Sequence, residues 1–341
     1  MAVKQITKTI FYSLVAAYAF FLLHSCSFMG KQPPVWESGM FSPDGKYYAY
    51  TWSEMFITQY SKRGNSTFRS GSSTSYFQII DCATGRKLLD KPLESTEKLT
   101  IAEIENNHVW IVSYEISKRW APALYDINSL KMTFSANDLI KINPAIPMKM
   151  QVIRFYKNNS GKPGAVFQAV DGRQYLIDPE TGKFSVTAPS KESIDNKDET
   201  CYQTISSVKG IREDGGARKK LVKENLESQD DFINPKFLCL EKNEDDIHPE
   251  PTMYRNNFFV LSPAFTTDNK EMQLTGIDKV SLATQWSIAL PQNENDDKKY
   301  NKERFFMNGA QLFVANTSTL FVIDLSKGSI KNSYQLFETK E

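Results

Sequence analysis

Few side chains in this sequence are of the types that begin covalent chemistry, and their spacing decides what they can do. The chain holds only three histidines, His24, His108 and His248. His108 opens the alternating run His108-Val109-Trp110-Ile111-Val112-Ser113, which reads as a strand residue packed or hydrogen-bonded beside Trp110. His248 stands in Glu244-Asp245-Asp246-Ile247-His248-Pro249-Glu250, an acidic turn whose carboxylates suit a hard cation. It lacks the D-x-[DN]-x-[DN]-G spacing of a calcium loop, so it reads as solvated chain and no metal ligand is assigned. A serine nucleophile needs a base and an exposed elbow, and no G-x-S-x-G occurs. Ser95-Thr96-Glu97-Lys98 fits S-x-x-K formally, but it lies in a polar connection without a companion motif. No catalytic residue is therefore expected. The polar chemistry that remains is recognition. Lys62, Arg63, Phe68 and Arg69 fall in the segment 53–75, where no acid follows Glu54, and they suit an anionic partner with Phe68 as apolar anchor. Lys118-Arg119 before Trp120 is a second basic step, more ordinary as a surface pair.

The N-terminus carries a different chemistry. Lys4 and Lys8 are followed by fourteen mostly apolar residues, Ile10 to Leu23, and then by Leu23-His24-Ser25-Cys26. A bilayer-spanning helix needs about 20 apolar residues and a signal-peptide core roughly 7–15, so the length favours a signal peptide. Leu23 to Cys26 resembles the lipobox of bacterial lipoproteins, with His24 a departure at its most tolerant position. The resemblance implies cleavage before Cys26 and acylation of that residue, which anchors residues 26–34 as a lipidated linker on a membrane. Ser27 in place of Asp implies, by the family's sorting rule, the outer membrane with the protein facing the periplasm. A signal anchor or an ordinary secretory signal is the alternative.

Composition narrows the partners. The chain has 41 Lys and Arg against 40 Asp and Glu, and removing residues 1–25 makes the two nearly equal. Such a balance gives no electrostatic reason to expect nucleic acid. Three cysteines remain beside Cys26. A Cys201–Cys239 disulfide is the better pairing in an oxidising compartment because both flank the least regular segment, and three buried thiols are the equal alternative. The five tryptophans fall in or beside strand-like runs, where core packing is the default over a carbohydrate platform.

The elements that must position these residues repeat. A strand-like run, an Asp, a polar turn and a second run recur around Asp81, Asp126, Asp178, Asp278 and Asp324, spaced 45, 52, 100 and 46 residues apart. Each reads as a β-hairpin in which Asp caps the turn and a following residue such as Gly85, Gly182 or Gly328 takes φ > 0. The gap of 100 counts as two units, with a degenerate copy near Phe237-Leu238-Cys239-Leu240-Glu241. Units of roughly 48 residues lie in the range of four-stranded propeller blades. Polar insertions at 53–75, 188–200, 212–235 and 291–304 read as long loops.

Phe41-Ser42-Pro43-Asp44-Gly45-Lys46-Tyr47-Tyr48-Ala49-Tyr50 resembles the signature of TolB-like propeller repeats, and the Asp-turn copies with Trp286 resemble PQQ-type repeats. The resemblance implies an all-β propeller over residues 35–341, of six four-stranded blades with seven as the alternative; a sandwich or solenoid reusing hairpins is the competing architecture. The chain has no adjacent cysteines and is too short for the eight blades of quinone-dependent dehydrogenases, so no cofactor is expected. The expected work is binding or scaffolding of an envelope protein or small ligand from the membrane. The competing class is a propeller hydrolase or lyase acting on a polysaccharide.

Overall fold

The computed structural model describes residues 30–63, 66–105, 107–115, 119–145, 154–156, 164–169, 171–188, 193–194, 202–205, 211–240, 250–263, 271–291, 304–316 and 318–337. Runs rich in Tyr, Phe, Val, Ile and Thr favour a pleated, half-buried surface, and nearly every regular element is a strand. The first sheet contains β1 (Gly30–Lys31), β2 (Val35–Phe41), β3 (Tyr47–Arg63), β4 (Ser66–Asp81) and β5 (Leu93–Ser95). The second is β6 (Lys98–Glu105), β7 (His108–Glu115), β8 (Arg119–Asp126) and β9 (Lys131–Phe134), followed by helix α1 (Ala136–Ile142). The third comprises β10 (Arg154–Tyr156), β11 (Ala165–Gln168), β12 (Gln174–Ile177) and β13 (Phe184–Val186), with β14 (Ser193–Ile194) added beside β10. Then β15 (Tyr202–Ile205) precedes a fourth, three-stranded sheet of β16 (Arg212–Gly215), β17 (Lys219–Lys223) and β18 (Leu226–Glu227). The fifth sheet runs β15, β19 (Lys236–Leu240), β21 (Asn257–Pro263), β22 (Glu271–Asp278) and β23 (Thr284–Pro291), with β20 (Met253–Tyr254) paired to β21. The sixth is β24 (Arg304–Asn308), β25 (Gln311–Ala315), β26 (Thr319–Asp324) and β27 (Ser329–Gln335).

The segment 212–235, expected as a loop, therefore holds a sheet of its own. Its lysines flank the adjacent, buried Leu221 and Val222, so the strand signal is masked rather than absent. The one described helix also departs from the all-β expectation. Ser135 caps it through a reciprocal box with Asp138.

Among the described residues, five pairs of neighbouring sheets share a core. Phe77, Ile79 and Tyr47 of the first meet Leu99, Ile101, Val109 and Tyr125 of the second. Trp110, Val112 and Leu124 of the second meet Ala165, Phe167 and Ile177 of the third. Leu221 of the fourth packs with Phe237 and Phe258 of the fifth, and Phe259, Leu261 and Leu274 of the fifth with Phe305, Leu312 and Phe321 of the sixth. The last sheet then returns to the first. Phe41, Tyr48, Tyr50 and Ile80 share a cluster with Phe306, Phe313, Leu320, Val322 and Leu336. Tyr50 Oη donates to the Leu336 carbonyl at 2.6 Å, and buried Arg304 donates from Nε to the Gly39 carbonyl at 3.3 Å with its guanidinium 5.4 Å from the Trp36 ring.

Five turns share one construction. Asp81, Asp126, Asp178, Asp278 and Asp324 each accept from backbone N–H groups two or three residues on, as in Thr84 N to Asp81 Oδ1 at 2.8 Å and Thr181 N to Asp178 Oδ1 at 2.8 Å. Four residues after each Asp the backbone is left-handed: Gly85 (φ 72°), Leu130 (55°), Gly182 (65°), Leu282 (55°) and Gly328 (60°). Three are Gly, and each of these has an aromatic of the preceding sheet against it. A Cβ on Gly328 would lie 2.2 Å from Trp286, on Gly85 2.1 Å from Tyr334, and on Gly182 3.3 Å from Phe134. Glycine here supplies both the positive φ and the room for the neighbour's ring. In four of the five, the residue after the Asp also donates to the adjoining turn of its own sheet: Cys82 N to Lys46 O, Ile127 N to Asn107 O, Lys279 N to Asn256 O and Leu325 N to Ala310 O, at 2.8–2.9 Å; Pro179 has no N–H to give. One rim is thereby stitched.

Leu130, 40% exposed, holds φ 55° and so bears strain of about 1 kcal/mol that its modest burial only partly offsets. Leu130→Gly should raise the denaturant midpoint, whereas Gly328→Ala should lower it by the equivalent of about 2 kcal/mol, through strain and the Trp286 contact. A fall for the first or no change for the second contradicts this turn construction.

Backbone donors, Thr181 N–H first, hold the Asp178 carboxyl below its ordinary 3.8. A lowered folded value means the charged form stabilises the fold above that range, and the contribution is lost as pH falls through it. The melting temperature of Asp178→Asn should therefore lie below wild type at neutral pH, and the gap should close as the pH falls below the ordinary carboxylate value. A gap independent of pH would mean that the charge is irrelevant.

Candidate functional site

Residues 53–75, expected as a loop, are a correction: they form the outer half of a long two-stranded hairpin. β3 and β4 pair continuously from Tyr47 opposite Asp81 to Arg63 opposite Ser66. The neighbouring strands end early, since β2 reaches only Ser53 on one edge and β5 only Ser75 on the other. Among the described residues, the hairpin from Glu54 outward is flanked by a strand only at β1. At about 3.3 Å per residue, Glu54 to Arg63 projects roughly 30 Å. Ser and Thr fill β4 here, and their strand state follows from pairing with β3 rather than from apolar alternation.

The base of the projection is built firmly. Trp52 stacks on Tyr76 at 5.1 Å, on Phe337 at 5.5 Å and on Tyr50 at 5.5 Å between ring centroids. Glu54 accepts from Tyr76 Oη at 3.4 Å and pairs with Lys31 Nζ at 2.5 Å. Burial, then the Glu54 charge, raises the Tyr76 hydroxyl above its ordinary value. On the other face Glu37 accepts from Ser53 Oγ at 2.7 Å and pairs with Lys98 at 2.6 Å.

A bulge redirects the ribbon farther out. Ile57 pairs with Gly71 and Gln59 with Ser70, leaving Thr58 as the extra residue, its hydroxyl donating to the Ser70 carbonyl at 3.2 Å. A Cβ on Gly71 would sit 2.0 Å from the Phe56 carbonyl oxygen. Gly71 is thus required by close backbone approach, against the expectation that a Ser/Gly loop would tolerate any residue there. Val35, Met55 and Phe56 stand 58%, 45% and 51% exposed around this region. The sequence reading missed them; the trio Met55-Phe56-Ile57 inside a polar stretch was the available signal.

Lys62, Arg63, Phe68 and Arg69 occupy the distal strands, Lys62 opposite Thr67, Arg63 opposite Ser66, Phe68 opposite Ser61 and Arg69 opposite Tyr60. The pairing brings all four onto one short stretch of ribbon. The chain's beginning comes to the same place. Gly30 pairs with Ile57 and Lys31 with Phe56, Gln32 N donates to the Met55 carbonyl at 2.7 Å, and Pro33 and Pro34 carry the chain on to β2. Cys26 and residues 1–25 lie outside the described residues.

Elsewhere the groups weighed for chemistry are engaged in structure. Ser95 Oγ accepts from Glu97 N at 3.0 Å while Lys98 is held by Glu37, so the S-x-x-K pair is not assembled. His108 faces Asp126 across the strands with Nε2 3.6 Å from the carboxylate. Trp36, Trp52 and Trp110 are buried, and Trp286 lies over Gly276 and Gly328. Cys82 and Cys239 are buried free thiols. Burial drives the Cys82 thiol far above its ordinary value and pushes Cys239 up to about 12, so neither is a nucleophile. Cys201 lies outside the described residues, and Cys239 enters no bridge here. His248 and the rest of Glu244 to Pro249 also lie outside the described residues. Among the described residues no group of three His, Cys, Asp or Glu is placed to hold a metal ion, and no helix is long and apolar enough to cross a membrane.

No protein-family model and no curated protein matches the sequence. Among solved structures the chain is similar to apo AztD from Citrobacter koseri, at 10% identity and a TM-score of 0.22, over 88% of this chain and 86% of that one. It is similar to KlHsv2 with loop 6CD replaced by a Gly-Ser linker, at 6% identity and 0.38, over 89% and 99%. The dihydro-heme d1 dehydrogenase NirN in complex with DHE matches at 10% and 0.31, over 90% and 67%. The strand pairing, rather than these likenesses, carries the architecture.

Gly71→Val should disrupt the bulge and loosen the hairpin without unfolding the sheets. Trypsin should then cut at Lys62, Arg63 or Arg69 at least several-fold faster, with the main melting transition preserved. Unchanged cleavage would mean the ribbon does not depend on this close approach.

Proposed function

We propose that this chain is a lipid-anchored β-propeller of six blades, facing the periplasm, that works by binding rather than by catalysis. Shared cores between neighbouring antiparallel sheets, two of them four-stranded, with the last sheet packed on the first, support the propeller. The lipobox-like Leu23-His24-Ser25-Cys26 supports the anchor.

One observation carries the binding role: the β3–β4 hairpin extends well past the sheet that forms it. A two-stranded ribbon is marginally stable alone in water, and ordering it costs about 1–2 kcal/mol of backbone entropy per residue. Beyond buried Ile57 the core gains little from its distal half. Its use lies in what it touches.

Metabolic labelling with a clickable fatty acid tests the anchor, with label expected on the wild-type protein and none on Cys26→Ala. Affinity purification of the lipidated protein tests the binding role against a variant in which residues 60–69 are replaced by Asn-Gly, a turn that closes Gln59 onto Ser70 and keeps buried Ile57 and the β1 pairing. The variant should keep the melting temperature and lose material that travels with the wild type. Identical recovered material from both would sink the role assigned to the hairpin.

A further inference from the structure

We infer that the distal β3–β4 hairpin docks on an anionic phospholipid surface, that of the membrane to which Cys26 is tethered; this rests on the anchored reading above.

The first argument is position. β1 and β2 run antiparallel to β3 along one edge, so the chain traced back from Phe41 to Gly30 advances toward the hairpin tip. Cys26 precedes Gly30 by four residues. A chain of that length spans at most about 14 Å. From Ile57, opposite Gly30, to Arg63 the hairpin itself reaches roughly 20 Å. The tether is shorter than the ribbon beside it. A bilayer holding acyl chains on Cys26 is therefore within contact distance of the distal strands.

The second argument is chemistry. Between Glu54 and Asp81 the sequence has Lys62, Arg63 and Arg69 and no acid. Each basic residue near an anionic surface adds roughly fivefold to affinity at moderate salt. Met55 and Phe56 stand half exposed on adjacent positions of β3, and Tyr60 and Phe68 occupy the same stretch of ribbon, the residue types that settle at a headgroup boundary. Ser and Thr residues along β4 suit hydrogen bonding to headgroups. Neither edge of the ribbon beyond β1 has a strand beside it among the described residues. A surface that covers the ribbon supplies the partner it otherwise lacks.

The test uses the chain from Ser27 to Glu341, which keeps every described residue and carries no acyl group. It is sedimented with vesicles of phosphatidylcholine alone or mixed with phosphatidylglycerol. Binding is expected to the mixed vesicles, several-fold or more above phosphatidylcholine, and to weaken at high salt. The triple variant Lys62→Glu, Arg63→Glu, Arg69→Glu and the double variant Met55→Ser, Phe56→Ser should each weaken it at least tenfold with unchanged melting temperatures. Absence of binding to mixed vesicles, or equal binding by both variants, overturns the inference. So does capture of an envelope protein through the hairpin without vesicle binding. Because no acyl chain is present, failure here is distinct from failure of the anchor, which fatty-acid labelling reads.

Discussion

The packing of the sixth sheet on the first is the contact on which the rest depends. Its hydrogen bonds join residues more than 250 positions apart, Arg304 to Gly39 and Tyr50 to Leu336. Closing so long a chain costs entropy, but that cost grows only with the logarithm of length, by about 0.6 kcal/mol per doubling. A shared cluster of Phe41, Tyr48, Phe306, Phe313 and Leu336 is ample to offset it, each large side chain contributing roughly 1.5–3 kcal/mol when fully buried. The contact also fixes β2, because Gly39 and Trp36 lie on that strand and Arg304 holds both. Through β2 it fixes the edge of β3, the path of β1 and so the place where the chain's beginning meets the hairpin. Buried Arg304 makes this latch sensitive to substitution, since loss of either side leaves a desolvated polar group.

The turn rule explains why the sheets can stack at all. In the Asp turns the carboxylate satisfies donors that a tight reversal would orphan, and the fourth residue must be left-handed. Where the preceding sheet delivers an aromatic, only glycine leaves room for it, as Trp286 does at Gly328 and Tyr334 at Gly85. At the other two turns leucine takes the position despite the strain. At Leu282 the side chain is buried among Ile211, Leu221 and Phe232 of the fourth sheet, which repays part of that strain. Residue choice at one backbone position thus records what the neighbouring sheet places there.

Much of this was legible in the sequence and some was not, for physical reasons. The Asp-plus-four pattern was readable because its constraint is local: a capping carboxylate and a residue at positive φ. Phe41 to Tyr50 was readable likewise, with Gly45 at φ 69° and its α-carbon against the Phe306 ring. The hairpin was not. Ser66 to Ser75 carries no apolar alternation, and its extended state comes from its partner strand, which propensity cannot see. The sheet at 212–227 was hidden by its Lys and Glu residues, and α1 by its brevity, although Ser135-x-x-Asp138 is a capping signal. The convergence of residues 30–32 with Met55 to Ile57 depends on register, which no spacing in the sequence announces.

The two rims of the molecule have unequal freedom, and this bears on where recognition is built. On one rim the Asp turns are tied to the adjoining turns by hydrogen bonds from Cys82, Ile127, Lys279 and Leu325, and aromatics of neighbouring sheets lock three of them. A residue inserted there breaks a backbone bond, a left-handed position or a stacking contact. The opposite rim has bonds of its own, Leu336 N to the Ser318 carbonyl and Asn316 Nδ2 to the Pro291 carbonyl, but none of the five Asp turns, so its connections are freer to lengthen. The first sheet uses that freedom most, extending β3 and β4 together so that the added backbone remains paired. The same rim receives the chain at Gly30. Elaboration therefore falls where it costs the fold least and stands beside the chain's entry to the first sheet.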